Sequence, residues 1–176
     1  AVAGNLAYVV DSLTGMLHIV DVTSPAAPTA AGHYDAQMPA WSVAVAGAYA
    51  YLGTAEGLRV LEVSQPARPR WVGLYRTETP IYHIALRGAY AFLSIGEEGA
   101  RIININVPFL PSSVSPFDTP GDVRQIAVAG DLAFVADTWC LRILSLADIN
   151  IPAELGRYEV LGGVADVTVA GEHAYL

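Results

Sequence analysis

Five glycines set the frame of this chain. Each opens the pattern Gly-x-x-Ala-aromatic, running from Gly4 to Tyr8, Gly47 to Tyr51, Gly88 to Phe92, Gly130 to Phe134 and Gly171 to Tyr175. The steps between them are 43, 41, 42 and 41 residues. A period near forty means that each unit is one small module that completes its core only against its neighbours, which is the behaviour of arrayed β units.

Within a unit the glycine separates two short apolar runs, as Val43-Ala44-Val45-Ala46 and Ala50-Tyr51-Leu52 do around Gly47. Glycine takes a positive φ without steric cost, so Gly-X between such runs predicts a two-residue hairpin. The aromatic four residues on (Tyr8, Tyr51, Phe92, Phe134, Tyr175) occurs in every unit and reads as a wedge between sheets. The third strand is the most regular: Leu17-His18-Ile19-Val20-Asp21-Val22, Leu58-Arg59-Val60-Leu61-Glu62-Val63, Ala100-Arg101-Ile102-Ile103-Asn104-Ile105 and Leu141-Arg142-Ile143-Leu144-Ser145-Leu146. Its second position is His or Arg and its fifth is Asp, Glu, Asn or Ser, a recurring polar pair expected to form an ion pair or a turn contact. Prolines follow (Pro25 and Pro28, Pro66 and Pro69, Pro108 and Pro111, then Pro152), and because proline has no N–H to give a ladder, the chain must turn there. A fourth strand is marked by Gly32, Gly73, Ser115 and Gly156, with Tyr34, Tyr75, Phe117 and Tyr158 two residues on.

Four antiparallel strands in forty residues, repeated, predict an all-β fold of β-propeller blades. Blades are expected over 1–42, 43–83, 84–125 and 126–167 of a single domain, with 168–176 opening a fifth, so the chain reads as an arc of an incomplete ring. A stacked solenoid is the rival, but its parallel strands do not suit a Gly-X hairpin.

The 53% hydrophobic content and mean hydropathy of +0.41 fit strands buried on both faces, since no apolar run approaches the ~18 residues of a membrane helix. Net charge is −8 and all nine basic residues are arginine, which argues against a nucleic-acid partner because phosphate binding needs a basic face. The lone Cys140 has no disulfide partner and reads as a small buried hydrophobe.

The third-strand box, with the Gly-X-Ala-Tyr hairpin before it and the turns Thr23-Ser24-Pro25 and Ser64-Gln65-Pro66 after it, resembles the LVIVD repeat of bacterial and archaeal propeller-type proteins. Leu17-His18-Ile19-Val20-Asp21 is nearest to the eponymous motif, while Asn104 and Ser145 replace its acid. The resemblance implies a fragment of a larger member, an extracellular or cell-envelope setting, and no particular reaction.

Propeller geometry would gather the second-to-third-strand loops and the interblade connections on one face. That face would hold Asp11, Asp35, Glu56, Glu78, Glu97, Glu98, Asp118, Asp122, Asp137, Glu159 and Asp166 against Arg76 and Arg124, a net of −9. An acidic face focuses negative potential and suits Ca²⁺ or a basic partner, although loop acids also serve solubility. Trp41, Tyr82 and Trp139 fall in or beside these loops and are not shared by all units, so they are candidates to stack on a sugar or clamp a peptide. The candidate ligand-binding set is therefore Asp11, Asp35, Trp41, Tyr82, Asp122, Asp137, Trp139 and Asp166. The four histidines occupy four different repeat positions and no nucleophile elbow or phosphate loop is present, so a non-catalytic binding scaffold is the leading expectation. The alternative is a hydrolase or lyase with interblade carboxylates or a divalent metal at the channel mouth.

Overall fold

The computed structural model describes residues 1–117, 119 and 121–176. It is all-β, and among the described residues there is no helix. The first repeat forms β1 (Val2–Ala3), β2 (Leu6–Val10), β3 (Met16–Asp21) and β4 (Thr29–Asp35). The second forms β5 (Ala40–Ala46), β6 (Tyr49–Thr54), β7 (Gly57–Glu62) and β8 (Arg70–Arg76). The third forms β9 (His83–Arg87), β10 (Tyr90–Ser94), β11 (Ala100–Asn104) and β12 (Ser112–Phe117). The fourth forms β13 (Val123–Ala129), β14 (Leu132–Asp137), β15 (Cys140–Ser145) and β16 (Ala153–Glu159). A last hairpin, β17 (Thr168–Ala170) and β18 (His173–Tyr175), follows.

Each complete repeat is one four-stranded antiparallel sheet in simple up-and-down order, the strand arrangement of a propeller blade. The hairpin glycines explain the first turn. Gly4, Gly47, Gly88, Gly130 and Gly171 have φ between +54° and +59°, while the residue after each has a negative φ, the signature of a type II′ hairpin. Pairs such as Ala3↔Leu6 and Ala46↔Tyr49 close directly around the two-residue loop.

The proline turns also repeat in detail. Hydrogen bonds Ala27 N to Ser24 O (2.9 Å), Arg68 N to Gln65 O (2.9 Å), Leu110 N to Val107 O (2.9 Å) and Ile151 N to Asp148 O (3.2 Å) close the same turn four times. The outer strand carries a feature the sequence did not announce. In every repeat the pairing of third and fourth strands slips at one point, leaving Ala31, Val72, Val114 and Leu155 as the extra residue beside Gly32, Gly73, Ser115 and Gly156. Such a bulge re-aims the strand locally. Two inner strands shift register as well, across Trp41 in β5 and Arg124 in β13.

By its contacts the chain groups into two units, Ala1–Ile81 with Val107–Pro111, and Tyr82–Asn106 with Ser112–Leu176. In the first, Tyr8, Leu17 and Ile19 of one sheet pack with Ala50, Leu52, Leu61 and Val63 of the next. In the second, Phe92, Ala100 and Ile102 pack with Val123, Ile126, Val135 and Leu144, while Ala136 and Leu141 meet Val164 and Val167 beside the last hairpin. Each large aliphatic side chain so buried contributes about 1.5–3 kcal/mol. Cys140 is a free, buried thiol whose pKa is raised, first by burial and then by Asp137.

Candidate functional site

The polar positions of the box do not pair with each other. Positions two and five lie three residues apart on a strand, so they point to opposite faces. The second position turns toward the loop that precedes its own strand: Arg59 pairs with Glu56, Arg101 with Glu98 at 3.0 Å, and Arg142 Nε donates to Asp137 Oδ2 at 2.7 Å. Its hydrogen bond to Arg59 is the main reason the Glu56 carboxyl lies below the ordinary range. The fifth position turns toward the proline turn. Asp21 Oδ1 accepts from Thr23 N at 2.8 Å, Asn104 Oδ1 from Asn106 N at 2.9 Å, and Ser145 Oγ from Ala147 N at 3.3 Å. Glu62, one methylene longer, accepts instead from the Ser64 hydroxyl at 3.0 Å and pairs with Arg70.

This changes the electrostatic picture drawn from strand position alone. Arg59, Arg101 and Arg142, expected away from the acidic loops, extend into them and meet Glu56, Glu98 and Asp137. Asp118, counted among the loop acids, lies outside the described residues.

In the first unit, Asp11 Oδ1 accepts from Leu13 N at 2.9 Å and from Thr14 N at 3.4 Å. Its carboxyl is lowered chiefly by the Leu13 bond. Asp35 Oδ1 accepts from Gln37 N at 2.7 Å and steadies Gln37 at φ 59°, a backbone region that glycine usually takes. Both carboxylates therefore organise their own turns. Trp41 sits at the inner-strand bulge of β5, 36% exposed.

The second unit brings four candidates into one neighbourhood. Asp122 pairs with Arg124, whose guanidinium lies over the Tyr82 ring at 5.2 Å. Gly96 is wedged against both, for a Cβ there would lie 3.0 Å from Tyr82 Cε2 and 3.2 Å from Asp122 Oδ1. Asp122 and Thr138 exchange two hydrogen bonds of 3.2 Å, which ties this group to the next loop. There Asp137, fully buried, accepts from Trp139 N at 2.8 Å, Cys140 N at 3.2 Å and Arg142. Arg142 is held on its other side by Glu154 at 2.7 Å. Trp139 itself is 66% exposed. Beside it lies an open groove of about 880 Å³ lined by Thr138, Trp139, Arg157, Glu159 and the turn Leu161-Gly162-Gly163.

Asp166 accepts from Gln125 Nε2, which also donates to the Val167 carbonyl at 3.3 Å. Near it is His83, at the start of β9, which sequence reasoning left without a role. Its Nδ1 is buried with no hydrogen-bond partner, and burial lowers its pKa while Asp166 acts to raise it. Among the described residues, no three His, Cys, Asp or Glu side chains form a cluster that could hold a metal ion. No helix among the described residues is long and apolar enough to cross a membrane.

The LVIVD repeat matches residues 1–36, 39–77 and 120–159, about two thirds of the chain. No curated protein matches. Among solved structures, the crystal structure of the computationally designed Ika8 protein superposes with a TM-score of 0.79 at 7% identity, covering 99% of this chain and 52% of the other. A functionally unknown protein from Desulfotomaculum acetoxidans superposes with a TM-score of 0.75 at 15% identity, covering 97% of this chain and 58% of the other. These likenesses carry the fold alone. The chain spans between half and three fifths of the length of both structures.

Proposed function

The chain belongs to the LVIVD-repeat family, and from that premise we propose that it is a non-catalytic, propeller-type binding scaffold whose loop groove around Trp139 takes a sugar ring. What carries this reading is the way Trp139 is presented. A large aromatic left 66% exposed is anchored through its main chain by a fully buried carboxylate, Asp137. A backbone already fixed loses little entropy on binding, and an aromatic face flanked by polar groups suits the apolar face of a sugar with its hydroxyls pointing outward. Arg157, Glu159 and Thr138 supply donors and acceptors around it. Asp11, Asp35, Asp137 and the arginine-paired Glu56 and Glu98 are engaged in turns and ion pairs, which favours this groove over a general cation-binding acidic face.

An extracellular or cell-envelope setting is part of the proposal, and fractionation of the native cells with an antibody to this chain tests it. The groove is tested by titrating a panel of neutral and acidic oligosaccharides calorimetrically into the wild-type chain and Trp139→Ala. Binding that disappears in the variant supports the reading. Binding that persists unchanged, or a basic peptide that binds Trp139 where no saccharide does, rejects it.

A further inference from the structure

Two exposed aromatic residues of the first unit meet at Gly73 of β8. A Cβ there would lie 2.2 Å from the Pro108 carbonyl oxygen and 3.0 Å from Phe109 Cα, so the turn Val107–Pro111 rests directly on this strand. The Gly73 carbonyl in turn accepts from Trp71 Nε1 at 2.9 Å. Trp71 is 52% exposed, Phe109 69% and Leu110 71%. The other repeats act as an internal control. Where β8 has Trp71, the other outer strands have Ala30, Ser113 and Glu154, and where the third turn has Phe109-Leu110, the others have Ala26-Ala27, Ala67-Arg68 and Asn150-Ile151. The same hydrogen bond closes all four turns, so the turn does not depend on a large apolar pair. Trp71 lays its ring on Arg59, a task that Glu154 performs for Arg142 without an indole. Three large apolar groups left in water beyond the needs of the fold mark a contact surface.

The polar atoms around these groups indicate what they touch. Hydrocarbon penalises every donor that enters it without a partner. The Trp71 indole N–H is already paired with Gly73, and Leu110 N donates to the Val107 carbonyl at 2.9 Å. Pro108 and Pro111 have no N–H at all. The tip of this turn therefore loses few hydrogen bonds on leaving water. Charge complements it. On the turn that leads into β8, Glu62, Ser64, Gln65, Arg68 and Arg70 line a hollow of about 270 Å³. Its two arginines outnumber its glutamate on a chain whose net charge is −8. The Arg70–Glu62 pair is exposed and opens at little cost, and a guanidinium matches phosphate geometry well.

We propose that Trp71, Phe109 and Leu110 form an interfacial anchor by which this chain rests on a bilayer carrying anionic phospholipid. The three side chains enter the boundary between headgroups and acyl chains, where indole and phenyl rings are favoured, while Arg68 and Arg70 take headgroup phosphate. Apolar area and arginine attraction both contribute, so the attachment is peripheral and reversible. It involves none of the residues of the groove at Trp139.

The test uses the whole 176-residue chain and vesicles of phosphatidylcholine containing about one quarter phosphatidylglycerol, with pure phosphatidylcholine as the uncharged comparison. Co-sedimentation is expected to show half-binding at about 0.1–1 mM lipid. Phe109→Ala with Leu110→Ala installs the pair that the first repeat carries as Ala26-Ala27, so this variant is expected to keep the wild-type melting temperature and to bind about tenfold or more weakly. Arg68→Ala is expected to lose about fivefold on the anionic vesicles and nothing on pure phosphatidylcholine. Lipids brominated on their acyl chains are expected to quench the wild-type tryptophan fluorescence, and most of that quenching is expected to disappear in Trp71→Phe. Absence of binding at about 5 mM anionic lipid overturns the proposal, as does a double-alanine variant that binds like wild type, or quenching that survives Trp71→Phe. So does sedimentation showing that the lipid-free chain forms dimers that the double-alanine variant abolishes, which would make a second copy the occupant.

Discussion

The guanidinium of Arg59 lies over the ring of Trp71, 4.6 Å from its centroid, while the same group donates to the Ala36 carbonyl at 2.9 Å and pairs with Glu56. One side chain thus joins the end of one sheet to the loop of the next. Removing it takes the guanidinium donor from the Ala36 carbonyl and leaves Glu56 paired with Arg76, and Arg59→Ala is expected to cost about 2–4 kcal/mol. Arg59→Lys keeps the charge but not the planar fork, so it should recover less than half of that loss. Urea denaturation of the three proteins measures both, and a loss below about 1 kcal/mol for Arg59→Ala would contradict the role.

Two kinds of glycine should respond differently to alanine. Gly47 has φ 56° and open space around a Cβ, so Gly47→Ala carries backbone strain of about 1–2 kcal/mol. Gly32 has ordinary φ but no room, and Gly32→Ala must push apart two stretches of backbone, at about 2–3 kcal/mol or more. Equal losses in chemical denaturation would show that close approach at Gly32 is of no consequence.

The wedge aromatics give a graded series. Tyr51 is 3% exposed in its core and Tyr175 is 56% exposed on the last hairpin. Tyr51→Ala should therefore cost about 3–5 kcal/mol, and Tyr175→Ala about 0.5 kcal/mol or less. Calorimetric melting of the pair distinguishes a conserved packing role from a mere sequence echo.

Architecture was legible because it is written in spacing. The glycine period, the proline turns and the alternating strands each state a local geometry, and the four sheets follow from them. The third repeat lies outside the stretches matched by the LVIVD repeat, with Asn104 for the acid and Ser115 for the glycine. It still forms the same sheet with the same bulge, because Asn104 caps its turn as Asp21 does. The site was less legible. Strand position marks Asp11, Asp35 and Asp137 as acids of the loop face and candidates to bind a ligand, and their oxygens are turned back onto their own turns. The Asx spacing, a carboxylate two residues before the N–H it accepts from, was present as a signal. The destination of Arg59, Arg101 and Arg142 was not, since it depends on how far a long side chain reaches from one sheet end into a loop.

His83 makes stability depend on pH. Burial holds its imidazole below the ordinary 6.5, so the fold favours the neutral ring. For a group whose folded pKa is depressed, the stabilisation is complete above the unfolded value and is lost as pH falls through the folded one. Stability should decline on acidification from about pH 6.5 downward, and His83→Gln should flatten that decline. Urea midpoints collected between about pH 8 and pH 5 test this, and parallel curves for the two proteins would refute it.

The turn after each third strand asks its side chain for a lone pair at one point, and Asp21, Asn104 and Ser145 all meet that request. A neutral oxygen suffices to close the turn, although the bonds to Thr23 favour an ionised Asp21 and hold its carboxyl below the ordinary range. Mutational drift at this letter can recolour each turn electrically while the backbone blueprint stays fixed, a dial for colloidal behaviour.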